Sequence, residues 1–418
     1  MEIFDRLESE VRGYCRSFPT VFTTARNARQ VDDEGREYID FFAGAGVLNF
    51  GHNNERMKRA LIEYLESDGV SHSLDMATDA KRRFLERFEE VLLKPRGWSY
   101  KLQFTGPTGS NAVEAALKLA RKVTGRRTVV AFTDGFHGMT LGALACTGNG
   151  LHRAAAGVDL GNVLRVPFDG YLGPETDTLE ILRRELADPS SGTTPPAAFV
   201  LETIQAEGGV HVARPEWLRA VRDLARHYGS LLIVDDIQVG CGRTGSFFSF
   251  DGMDLDPDVI VLAKGIGGYG TPLALCLIKP EHDVWAPGEH TGTFRGQGLS
   301  FVAGREALSY FQDESFGREV LRKGQRTDER LRGLAASRPE LRAQVRGRGM
   351  IHGLDVGDGA LAGRISKEAF ERGLIVAPCG PGGRVIKVIA PLTIDDADLD
   401  EGLDLLEKAF HEAVGAGA

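Results

Sequence analysis

From about Asn54 onward the chain alternates apolar-periodic stretches with short, compact apolar runs, at 128–132, 198–201, 231–234 and 259–263. Runs of roughly four to eight apolar residues bounded by polar ones suit strands covered on both faces. Alternated with helices they predict an α/β domain around a mainly parallel sheet. Ahead of that domain, Val31 to Asp40 reads as a hairpin with Asp and Gly in its turn, part of an amino-terminal lobe. The Pro-rich and small-residue stretch from Asp188 to Pro196 is a surface loop, because the alternation resumes directly after it. Past Glu314 a polar, Arg-rich helix leads to strand-like segments at 347–355 and 385–390, which predict a smaller α+β domain closed by both chain ends. The expected division is an amino-terminal lobe over 1–53, a large domain over 54–313 and a small domain over 314–418.

Composition narrows the class. The chain has 418 residues and a formal net charge of -9, enough length to bury a large core and the wrong sign for a nucleic-acid partner. The basic run Lys81-Arg82-Arg83 belongs to a charged helix with a solvated face. No apolar stretch reaches membrane-spanning length, and Met1 to Arg6 lacks the basic and apolar regions of a secretory signal, so a cytoplasmic location is expected. The five cysteines are scattered without a C-x-x-C, which suggests neither a disulfide framework nor a metal site.

Candidate chemistry centres on Lys264, placed directly after an apolar run and before the glycine-rich turn 265–270. Burial there would disfavour the ammonium and favour the neutral amine, the form that attacks an aldehyde carbon. Upstream, 231–238 predicts a buried strand ending in Asp235 and Asp236, and ligands gather at such strand ends. A carboxylate at that point can hold a proton on a ring nitrogen, as a pyridine electron sink requires. A helix N-cap or a metal ligand is the competing reading of Asp235. Phe104-Thr105-Gly106-Pro107-Thr108-Gly109-Ser110-Asn111 then feeds glycine and hydroxyl residues into a strong helix-forming stretch. A helix start offers unpaired N–H groups and a positive dipole end, so Gly109 and Ser110 main chain with the Thr108 and Ser110 hydroxyls can cradle a phosphate. Neither a Walker loop nor an amino-terminal G-x-G-x-x-G is present, which removes the usual support for a nucleotide.

In order, the cradle, Phe136-His137-Gly138, the segment 202–209, Asp235-Asp236-Ile237-Gln238, Lys264 and Gly292-Thr293-Phe294-Arg295-Gly296 resemble the class III aminotransferases of the fold-type I pyridoxal phosphate enzymes. The likeness runs nearly end to end. A finer likeness, to the diaminobutyrate–2-oxoglutarate aminotransferase family of ectoine biosynthesis, is carried by residues 7–19, 41–46, 49–54 and 72–76 and by Gly288-Glu289-His290. The resemblance implies that Lys264 holds the aldehyde of pyridoxal 5'-phosphate and moves a proton, and that Asp235 keeps the ring nitrogen protonated. It further implies Gln238 on the ring hydroxyl, Ile237 and Phe136 on the ring faces, His137 in a structural role, and Thr293 reaching the phosphate of a neighbouring subunit in a homodimer or larger even oligomer.

On the substrate side the resemblance aligns Lys387 with an arginine that binds the oxo acid in many relatives, and Glu207 with the glutamate that shields it. Lysine cannot make the bidentate fork of arginine, although the likeness to the ectoine-pathway enzymes extends to lysine here. Ala206 and Ala263 also depart from the pattern, which has Gly and Ser there. Arg243 either takes part in substrate switching or buttresses the Asp235 strand. The implied reaction moves the amino group of L-glutamate to L-aspartate 4-semialdehyde, giving 2,4-diaminobutyrate and 2-oxoglutarate. The competing readings are ornithine, acetylornithine or 4-aminobutyrate aminotransferases, an aminomutase or racemase, and a pyridoxal-binding regulator, which would need a DNA-binding extension that is not evident.

Overall fold

Seven strands form the central sheet, in the spatial order Lys101–Phe104, Leu275–Ile278, Val259–Leu262, Leu231–Asp235, Ala198–Leu201, Val129–Phe132, Val163–Val166. The computed structural model describes residues 2–415. Leu275–Ile278 runs antiparallel to both its neighbours; the other recorded pairings are parallel. Every residue of Val129–Phe132, Ala198–Leu201, Leu231–Asp235 and Val259–Leu262 is buried, as their apolar runs require, and the terminal Asp235 is buried with them. Side chains still alternate between two covers. Leu232 and Val234 join the core built by Trp217, Leu218 and Val221 of the helix Pro215–His227, whereas Leu231 and Ile233 join the core built by Ala112, Val113 and Ala116 of the helix Gly109–Thr124. The carboxyl ends of the parallel strands therefore open onto one edge between two helical layers.

The chain ends meet in a second body. Strands Phe22–Arg26, Arg29–Asp32 and Glu37–Asp40 form a sheet completed by Leu374–Ile375, with Leu374 paired to Ile39. The expected hairpin is the pairing of Arg29–Asp32 with Glu37–Asp40. The segment expected around 347–355 is two strands, Gln344–Arg348 and Ile351–Asp355, because the chain reverses at Gly349, where φ is +59°. The strand at the end of the chain is Val385–Val388, and the Arg-rich helix is Ser315–Ala336. Among the described residues no helix is long and apolar enough to cross a membrane.

Phe41 fastens these ends together. Its N–H donates to Ile375 O and its carbonyl accepts from Ile389 N, both at 2.9 Å, while its ring is fully buried against the last helix, Asp396–Gly415. A Cβ on Gly402 of that helix would lie 2.3 Å from the ring. Gly402→Ala gains about 1 kcal/mol of helix propensity but must displace a buried aromatic, at about 3 kcal/mol, so a net loss of about 2 kcal/mol is expected in urea unfolding. An unchanged or raised stability would show that this contact does not constrain the fold.

Candidate active site

Asp235 closes its strand opposite Val261 of the neighbouring strand, and Lys264 follows the end of that neighbour, after the extended Ala263, as the first residue of a short 3-10 turn. The two side chains thus emerge from adjacent parallel strands at the same edge. Lys264 sits at φ +52°, a left-handed conformation that costs a non-glycine residue about 1 kcal/mol. The next residue is closely packed: a Cβ on Gly265 would lie 2.7 Å from Asn49 Nδ2 and 3.0 Å from Cys241 Cβ. Burial pushes the Lys264 ammonium down to about 8, against the opposing pull of Glu207.

The helix Gly109–Thr124 starts beside them. Thr108 is its N-cap, its hydroxyl accepting from Asn111 N at 3.3 Å, and the first-turn N–H groups of Gly109 and Ser110 have no acceptor within the helix. Ser110 Oγ accepts from Met139 N at 3.1 Å, tying the helix start to the loop that carries Phe136. A Cβ on Gly109 would approach Ile237 Cδ1 to 2.8 Å, and one on Gly138 would approach Ser110 Oγ to 2.2 Å, so both positions need glycine. Thr108, Gly109, Ser110, Phe136, Asp235, Ile237, Gln238 and Lys264 line a single cavity of about 380 Å³. An amine, a carboxylate, an aromatic and an aliphatic wall, and a helix N-terminus are the donor set a phosphorylated pyridine aldehyde needs, so these residues fit it.

Behind Asp235 lies a contact the sequence did not announce. His137 Nδ1 is 2.8 Å from Asp235 Oδ2, and both side chains are almost fully buried. Burial alone would lower the imidazole, but the hydrogen bond and charge of Asp235 outweigh it and raise His137, which favours an imidazolium–carboxylate pair. Glu202, at the end of the next strand, accepts from Phe136 N at 2.9 Å and is pushed up by burial to about 8.

A third group forms the floor on the other side. Lys387, buried on Val385–Val388, donates to Glu207 Oε1 and, at 3.3 Å, to Gln238 Oε1. Gln238 Nε2 donates to Glu207 Oε1 at 3.0 Å and to Ala45 O at 2.7 Å. The amide expected at the ring hydroxyl lines the cavity and also clamps Glu207 and Lys387. Ala45 O is presented by a left-handed turn over Ala43–Gly46, with φ of +47°, +58°, +57° and +89°, whose start is held by Asp40 Oδ1 accepting from Phe42 N and Ala43 N. Burial would raise Glu207, but the charges of Lys387 and Lys264 win and hold it down to about 2; Lys387 is correspondingly raised despite its burial.

Two expected site residues stand elsewhere. Arg243 is fully buried, but its guanidinium donates to Met350 O, Ala390 O and Asn49 Oδ1, and it does not line the cavity. It joins three chain segments, which is the buttressing alternative. Thr293 is exposed, its carbonyl 2.7 Å from His72 Nε2, and it does not line the cavity of its own chain. Tyr14 was not singled out from the sequence, yet it lines the space beyond Glu207, its ring 4.7 Å from that of Phe42. Nothing in the local pattern around Tyr14 signals this; the contact depends on how the amino-terminal segment folds back. Among the described residues no cluster of His, Cys, Asp and Glu is arranged to hold a metal ion.

The family model described as aminotransferase class-III matches residues 13–410. The chain is 55% identical to the diaminobutyrate–2-oxoglutarate transaminase of Bordetella parapertussis, over 99% of this chain and 96% of that one. It is 52% identical to the protein of the same name in Halomonas elongata, over 99% of each. Among solved structures, an ornithine aminotransferase from Toxoplasma gondii with partial occupancy of PLP at its active site superposes with a TM-score of 0.85, at 26% identity, over 99% of this chain and 94% of that one.

The Glu207–Lys387 pair has a measurable signature. Because Glu207 is depressed, its contribution to stability is fully present above the ordinary carboxyl range near 4.5 and is lost as pH falls toward 2. Lys387→Met leaves Glu207 buried without its cation and is expected to cost about 3 kcal/mol at neutral pH, the low end for breaking a buried pair, since the Glu207 side chain stays 26% exposed. Urea unfolding should show the gap between variant and wild type narrowing toward pH 3, and Glu207→Gln added to the variant should recover part of the loss. A gap independent of pH would contradict the pairing.

Proposed function

Because the chain belongs to the class III aminotransferase family, we propose that it moves the amino group of L-glutamate to L-aspartate 4-semialdehyde, giving L-2,4-diaminobutyrate and 2-oxoglutarate, with pyridoxal 5'-phosphate as cofactor. What supports the reading most is that Lys264 and Asp235 leave adjacent parallel strands into one cavity whose end is the helix start at Gly109. The names of the full-length relatives carry diaminobutyrate and 2-oxoglutarate, the two products of this transfer.

The cofactor supplies the aldehyde that accepts an amino group and the ring that takes up an electron pair when a substrate carbon loses a proton. The protein supplies the rest. Lys264, with its ammonium lowered to about 8, has a substantial neutral fraction near physiological pH and can take a proton from the substrate carbon and return it. Asp235, backed by His137 at 2.8 Å, presents a fixed carboxylate to the ring nitrogen. Gly109 and Ser110 N–H groups take the phosphate, and Phe136 and Ile237 flank the ring. Glu207 and Lys387, clamped by Gln238, present a paired acid and cation beyond Lys264, which an acidic substrate can separate.

Thr293 belongs to this reading as a residue for the phosphate of a second subunit. Its neighbours Phe294, Met76 and Leu74 are 62%, 61% and 44% exposed, an apolar patch suited to a homodimer interface. The reaction requires soluble substrates only, and a cytoplasmic location with a place in ectoine formation fits it.

A glutamate-coupled assay of the holoenzyme with aspartate semialdehyde, glutamate semialdehyde and succinate semialdehyde tests the proposal. One added methylene is worth about tenfold or more in a shaped pocket, so aspartate semialdehyde should lead glutamate semialdehyde in kcat/KM by that factor. A preference for either of the others would assign the enzyme to a different acceptor.

A further inference from the structure

The cavity holding Lys264 shares Phe136, Glu207 and Lys264 with a second chamber of about 840 Å³, walled by Tyr14, Asn149, His152 and Cys379 among others. Glutamate and 2-oxoglutarate, the dicarboxylates of the proposed reaction, carry a second carboxylate besides the one the Glu207–Lys387 pair can meet. The lining of this chamber includes the carboxylates of Glu207 and Asp134, and no arginine. Lys264 and His152 are the lining side chains able to carry positive charge, and Lys264 is committed to the amino-group chemistry. Lys387 stands behind Glu207 and can meet one carboxylate when an acidic substrate separates that pair, which leaves a second carboxylate to be received in this chamber.

His152 is built into this wall rather than draped over it. It lies on the short helix Gly150–Ala154, whose cap Asn149 accepts from Leu151 N at 2.9 Å and His152 N at 3.4 Å, fixing the backbone that carries the ring. The imidazole stands edge-on to Phe136, with centroids 5.8 Å apart and planes at 72°. Phe136 is the same ring that walls the Lys264 cavity. Among the described residues no side chain or backbone group takes a hydrogen bond from either ring nitrogen of His152, which leaves both for a ligand.

We propose that His152 is a specificity-determining residue that receives a carboxylate of the substrate in the second chamber. The inference rests on the aminotransferase reading above for its substrates and names the residue that selects acidic ones. An imidazole so placed gives a single charge-assisted hydrogen bond, weaker than a guanidinium fork, and lets an amino acid and an oxo acid alternate without a tight ion pair to break at each exchange.

The experiment compares wild-type holoenzyme with His152→Phe, which keeps a ring against Phe136, and His152→Asn, which keeps a polar group. Binding of glutarate, a dicarboxylate with no amino or oxo group, is measured by calorimetry alongside KM for glutamate and the visible spectrum. Both glutarate affinity and glutamate KM should worsen about tenfold in His152→Phe, with kcat, cofactor content and spectrum retained. His152→Asn should fall between. Unchanged glutarate binding in a variant that keeps its cofactor overturns the inference, and so does loss of the cofactor in both variants, which would make His152 a support for Phe136. If wild type does not use glutamate but still loses glutarate affinity in the variants, the proposed reaction fails while the carboxylate site stands.

Discussion

Glu207 acts on two lysines, the buried Lys387 and the half-buried Lys264, and the side on which it pairs sets them apart. Glu207 bonds Lys387 directly, with Gln238 clamped across both. That contact raises Lys387, whereas desolvation lowers Lys264 to about 8, opposed by the charge of Glu207 and reinforced to a smaller extent by that of Lys387. The difference between the two amines thus follows from desolvation of Lys264 together with the direct pairing of Glu207 to Lys387.

The fold serves this arrangement by bringing three remote segments to one strand edge. The parallel sheet delivers Asp235, Lys264 and, through the loop after Val129–Phe132, Phe136 and His137. The carboxy-terminal sheet delivers Lys387. The amino-terminal lobe delivers the left-handed turn at Ala43–Gly46, two of whose four residues are alanines that adopt such angles at a cost of about 1 kcal/mol each. That turn is held in place by Asp40 at its start and by Gln238 on its carbonyl, so the strain is borne where the lobe meets the site.

The α/β architecture, the cradle at 108–110, Asp235 and Lys264 were legible because each is written in contiguous residues: apolar runs, a strand ending in acid, a glycine turn. What the sequence withheld lies in long-range pairings. His137 meets Asp235 across 98 residues, and its neighbouring motif gave no sign that the ring would back the carboxylate. Gln238 could be placed beside the ring, but its occupation by Ala45, Glu207 and Lys387 depends on chain positions up to 193 residues away. Arg243 left two readings open because a glycine-flanked arginine looks alike at a pocket and in a core; three backbone and amide oxygens around it favour the core.

The most direct test is to reduce the holoenzyme with borohydride, digest it and locate the pyridoxyl mass by peptide sequencing. The account predicts the label on Lys264 and none on Lys387, with the label following neither residue's exposure but the pairing of Glu207. Label on Lys387, or distributed between the two, would contradict it.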